Sequence, residues 1–99
     1  ETGIPIPMPA ISDFCRKWRV REFSLFGSVL RQDFSPESDI DVLVRFDEAC
    51  RWSYWDYPDM IDELEAIFGR KVDLVEERAL QNPFRRHRIL ATRRLLYAA

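Results

Sequence analysis

Residues 23–46 read FSLFGSVLRQDFSPESDIDVLVRF, and the fold follows from how this stretch divides. Its left part belongs to a run, Arg21 to Phe26, that alternates polar and apolar residues and stops at Gly27, the pattern of a half-buried strand. Its right part, Ile40 to Phe46 (IDVLVRF), is the most β-prone run in the chain. Between them, Gly27 to Gln32 suits a short helical turn, and Asp33 to Ser38, with Pro36, a polar loop. Side chains two apart on a strand share a face. Asp39 and Asp41 therefore project together, while Ile40, Val42 and Val44 turn the opposite way, toward a helix layer.

The flanks supply that layer. Upstream, Ala10 to Trp18 predicts a short helix with Ile11, Phe14, Cys15 and Trp18 on one stripe. Downstream, Ser53 or Asp56 is placed to cap a helix running to about Phe68, with Tyr57, Met60, Ile61, Leu64, Ile67 and Phe68 at helical spacing and Gly69 as its C-cap. Lys71 to Glu76 (KVDLVE) predicts a third strand. A last helix is expected from about Phe84 to Tyr97, where Ile89, Leu90, Leu95 and Leu96 are interspersed with arginines. Strands alternating with helices give an α/β (α+β) class. The expected architecture is one domain over residues 1–99: a small mixed three-stranded sheet, helices on one face and the other face open for a site. Residues 1–8, which open Glu1-Thr2-Gly3 without a methionine, are expected to be flexible or in part a cloning remnant.

Composition narrows the function classes. In 99 residues, 46% are hydrophobic, 32% charged and 13% aromatic, which is core-forming material that argues against disorder. The net charge of −2 excludes a uniformly basic nucleic-acid coat, and direct nucleic-acid binding is disfavoured. That total hides an asymmetry: residues 1–69 carry fourteen acids and seven bases, residues 70–99 three acids and eight bases. A basic surface is expected near the C-terminus. Cys15 and Cys50 stand apart with no CxxC or histidine pair, so two reduced thiols in a cytoplasmic protein are expected rather than zinc or a disulfide framework. No apolar run reaches the roughly 20 residues of a membrane span, and no membrane association is expected.

The chemistry sits in Gly27-Ser28, ten intervening residues, Asp39-Ile40-Asp41, and Asp73 on the third predicted strand. Two carboxylates on one strand face repel unless a cation lies between them, and hard oxygen donors of this kind suit Mg²⁺. Val72 and Leu74 should pack inward and leave Asp73 on the same side as the pair, where it can ligate a metal and help deprotonate an attacking hydroxyl. A glycine at a strand end followed by a helical turn lets backbone N–H groups approach a phosphate, with the serine hydroxyl as a further donor. Each part alone is commonplace; their joint spacing is not.

This arrangement resembles the nucleotidyltransferase superfamily that includes DNA polymerase beta, and most closely its minimal nucleotidyltransferases, with GS, ten residues, DxD and a later single aspartate. The resemblance covers nearly the whole chain, including FGRKVDLVEERAL at 68–80 and RRHRIL at 85–90. It implies Asp39, Asp41 and Asp73 as catalytic metal ligands for two Mg²⁺ ions. It also implies Gly27 and Ser28 as triphosphate contacts, with Ser38 and Arg31 at further nucleotide-side positions. Many relatives read GSRARG where this chain reads GSVLRQ, so Val29 and Gln32 depart on the phosphate side. The implied reaction moves AMP from ATP to a hydroxyl and releases pyrophosphate. The implied partner is a HEPN-domain toxin, held in a hetero-oligomer and adenylylated on a tyrosine by its antitoxin. A catalytically weak fold that silences its partner by occlusion is the alternative, and transfer to small molecules or RNA ends a third.

Two features stay open at this level. The aromatic run Trp52 to Tyr57 suits stacking on a purine, burial by a partner, or packing on the core. Arg78, Arg85, Arg86, Arg88, Arg93 and Arg94 suit a triphosphate, an RNA, an acidic partner, or a solvated helix face. His87, the one histidine, has no carboxylate or cysteine near it in sequence and is read as non-catalytic.

Overall fold

A computed structural model describes residues 5–30 and 38–99. Along the chain lie α1 (Met8–Trp18), β1 (Val20–Phe26), a 3₁₀ turn (Gly27–Leu30), β2 (Ile40–Phe46), α2 (Tyr57–Phe68), β3 (Val72–Glu76), α3 (Pro83–Thr92) and β4 (Arg94–Ala98). The sheet order is β3-β2-β1-β4; β2 runs antiparallel to β1 and parallel to β3, and β4 runs antiparallel to β1. Parallel neighbours need a crossover, and α2 supplies it between β2 and β3.

The predicted stripes form the main core. Ile11, Phe14, Cys15 and Trp18 of α1, and Met60 and Leu64 of α2, pack on Phe23, Leu25, Ile40, Val42, Val44, Phe46 and Val72. Phe14 meets Phe23 edge to face at 6.1 Å, and Trp52 meets Trp18 at 5.0 Å. The Trp52 indole N–H also donates to the Trp18 carbonyl at 2.9 Å. Burial pushes the Cys15 thiol up to about 12, so it behaves as a core side chain. Ser53 and Asp56 form a capping box around the turn that leads into α2, and Gly69 ends that helix at φ 70.

Two expectations are corrected here. The sheet has four strands, because the segment read as the end of a long helix divides into α3 and β4. Phe23, Ser24 and Leu25 are wholly buried, so the backbone groups on both edges of β1 need partners; β2 satisfies one edge and β4 the other. Arg93 helps bring β4 there, donating to Glu22 Oε1 at 3.1 Å as the chain leaves α3. The second correction is that helices do not lie on one face only. Ile89 of α3 joins Phe26, Leu43 and Leu80 in a smaller core separate from the one under α1 and α2, so the second face is partly covered. Among the described residues, no helix is long and apolar enough to cross a membrane.

Two outcomes are expected. Ile89→Ala should cost about 2–4 kcal/mol in chemical denaturation, whereas Phe84→Ala, on the same helix but 82% exposed, should shift stability by no more than about 0.5 kcal/mol. Glu22 lies between Arg45 and Arg93, and its carboxyl is held below the ordinary 4.5, chiefly by the hydrogen bond from Arg45, with burial opposing and Arg93 adding. A lowered folded value means this stabilisation is present above about pH 4.5 and is lost as pH falls through the folded value. Melting temperature against pH should therefore drop below pH 4.5 more shallowly in Glu22→Gln than in the wild type.

Candidate active site

Strand pairing gathers at one end of the sheet what the sequence spreads over nearly fifty residues. Because β1 and β2 are antiparallel, the end of β1 lies beside the start of β2, with Phe26 opposite Asp41. Because β2 and β3 are parallel, their starts coincide, and Asp41 stands level with Asp73. Adjacent strands lie about 4.8 Å apart, so these two aspartates are direct cross-strand neighbours. Their flanking residues Ile40 and Val72 pair likewise and point into the main core. Asp39, two residues before Asp41, is exposed at the mouth of the strand; Asp41 is half-buried and Asp73 exposed.

Gly27 completes this end. It opens the 3₁₀ turn at φ 74, in the left-handed region that favours glycine. A Cβ there would overlap Asp41 Oδ2 and lie 3.2 Å from its Cγ. The turn thus approaches the carboxylate as closely as only a glycine allows. Ser28 follows in the same turn, and Ser38, half-buried, directly precedes Asp39. Arg31, Gln32 and the polar loop 33–37 lie outside the described residues.

The donors are all oxygen, which fits a hard cation. Among the described residues, no three histidine, cysteine, aspartate or glutamate side chains converge as a metal cage. The carboxylates instead stand as neighbours along β2 and across to β3.

Beside the Gly27 turn is a cavity of about 460 Å³ lined by Phe26, Gly27, Leu30, Arg85, Arg88, Ile89 and Thr92. In sequence the arginines of the C-terminal third form one run, whereas of these only Arg85 and Arg88 line this cavity. The signal was available, since positions 85, 88, 89 and 92 fall on one helical face. The aromatic run divides too. Trp52 and Tyr57 pack inward, Tyr57 donating to Glu76 at 2.8 Å, while Tyr54 and Trp55 are each 78% exposed.

The sequence profile of the nucleotidyltransferase domain matches residues 9–96. The chain belongs to this family. A Methanocaldococcus jannaschii protein named as a protein adenylyltransferase is 43% identical over 68 residues, which is 69% of this chain and 68% of that protein. A solved structure described as a minimal nucleotidyltransferase superposes with a TM-score of 0.69 at 31% identity, covering 87% of this chain and 85% of the other. The same fold occurs, at 19% identity and a TM-score of 0.66, in a chain of the complex between tri-AMPylated Shewanella oneidensis HEPN toxin and MNT antitoxin, over 93% of this chain and 70% of that one.

The two positive-φ glycines among the described residues provide a test of this nucleotidyltransferase geometry. Gly69 has φ 70, but a Cβ there would meet only open space, so Gly69→Ala should cost only the backbone strain, about 1 kcal/mol. Gly27→Ala adds the collision with Asp41 and should destabilise clearly more in the same urea titration.

Proposed function

We propose that this chain is a metal-dependent nucleotidyltransferase that moves AMP from ATP to a hydroxyl of a partner protein. The partner is a HEPN-domain toxin, the acceptor a tyrosine, and the chain its antitoxin. The observation that carries this reading is the alignment of Asp41 with Asp73, two residues from Asp39 and against the Gly27 turn. Family membership supports nucleotidyl transfer, the named relative supports a protein acceptor, and the tri-AMPylated toxin complex supports the class of partner.

Asp39, Asp41 and Asp73 are the residues that would hold two Mg²⁺ ions, which when bound would supply positive charge against the triphosphate. The remaining roles fall to the chain itself. The Gly27-Ser28 turn holds the triphosphate, its backbone N–H groups serving as donors. Asp73, exposed on β3, accepts the proton of the attacking hydroxyl. The hydroxyl oxygen bonds to the α-phosphorus, the bridge to the β-phosphate breaks, and pyrophosphate leaves with that electron pair.

The second reading, silencing by occlusion without transfer, is favoured by Val29 and Gln32, which replace the basic residue and glycine of GSRARG. One pair of assays separates the two. Asp39→Asn with Asp41→Asn should reduce label transfer from ATP to the toxin by about a hundredfold or more, with circular dichroism recorded to check that the variant is folded. If the double variant still neutralises the toxin fully, transfer is dispensable and occlusion is the function. Chelating divalent metal with EDTA should stop transfer by the wild type in the same assay.

A further inference from the structure

The arginines of the C-terminal third divide by what they touch. Arg78 pairs with Glu76, Arg86 with Glu77 and Arg93 with Glu22. Arg85 and Arg88 are exposed and have no such partner among the described residues, and they line the cavity beside Gly27. They sit three residues apart on α3, on the face that also carries Ile89 and Thr92. Below them the lining is apolar: Phe26 and Ile89 are buried and Leu30 half-buried. Among the described residues, no carboxylate contributes to it. Like charges three residues apart on one helix face repel each other, and an anion between the two guanidinium groups relieves that repulsion. Gly27 is shared: it lines this cavity and leaves no room for a Cβ beside Asp41. The acidic and basic halves therefore meet at a single residue.

We propose that this cavity receives the polyphosphate of the nucleoside triphosphate, with Arg85 and Arg88 as its cationic contacts. The proposal rests on the nucleotide-binding reading above and adds a location and two residues to it. Planar guanidinium groups bind phosphate oxygens bidentately, and a cavity of about 460 Å³ accommodates a group of that size. A neutral base would leave both charges uncompensated. As the α–β bridge breaks, negative charge accumulates on the departing pyrophosphate, and the two arginines face it.

Calorimetric titration with inorganic tripolyphosphate in EDTA tests the cavity separately from metal and base; ATP with Mg²⁺ and adenosine alone complete the set. Arg85→Ala with Arg88→Ala should weaken tripolyphosphate and ATP tenfold or more and leave adenosine unchanged. Arg94→Ala, exposed on β4 and outside the lining, should bind all three like the wild type. Should the alanine pair unfold, Arg85→Gln with Arg88→Gln keeps much of the side-chain length without the charge and carries the same test. Tripolyphosphate binding that is absent in the wild type, or undiminished in the double variant, overturns the proposal. So does a parallel loss for adenosine, which would make the cavity a base pocket. If the arginines hold tripolyphosphate but the wild type neither binds ATP nor transfers AMP, the nucleotidyltransferase reading fails while the anion site stands.

Discussion

Everything at the site depends on the hydrogen bonding of β2, which runs against β1 on one side and with β3 on the other. That combination brings the end of one strand and the starts of two others to the same edge of the sheet. Gly27, Asp41 and Asp73 meet there because of register and need no long side chain to reach one another. The apolar residues that alternate with the aspartates hold the register in place. A one-residue slip of β2 would turn Ile40, Val42 and Val44, all essentially inaccessible to solvent, away from α1 and α2. The main core thus fixes the site, although none of its side chains belongs to it.

Charge is apportioned in a related way. The acidic part of the chain supplies the exposed end of β2 and the basic part supplies α3. Within the basic part, ion pairs to Glu22, Glu76 and Glu77 occupy three arginines, and two others face the cavity. Such surface pairs each contribute little to stability. Their larger effect is positional: Arg93 to Glu22 ties the chain leaving α3 to β1, and Arg86 to Glu77 ties the helix to the segment before it.

Much of this was legible in the sequence where a pattern is local. The stripe of α1, the run of β2 and the C-cap Gly69 carry their own signals, and each stands where its signal puts it; of the two candidate caps, Asp56 takes the N-cap position of α2 and Ser53 that of the short turn before it. The spacing of the aspartates and Gly27 was equally readable. What made Gly27 indispensable, the lack of room for a Cβ beside Asp41, arises only from strand pairing. After Thr92 the local pattern and the structure differ for a physical reason. Leu95 and Leu96 continue a helical spacing from Ile89, and nothing local states that β1 lacks a partner on its second edge. That requirement is tertiary. The same holds for Trp52, whose indole finds the Trp18 carbonyl thirty-four residues away, and for the cavity, whose walls come from β1, the turn after it and α3.

If metal and nucleotide meet at the sheet edge formed by Gly27, Asp41 and Asp73, paramagnetic broadening of backbone amide signals on adding Mn²⁺ with ATP reads it most directly. Early, selective loss of the Gly27, Asp41 and Asp73 signals is expected, reversed by excess Mg²⁺. Broadening centred on the opposite end of β2, at Arg45 and Phe46, or no broadening beyond that of free Mn²⁺, would contradict it.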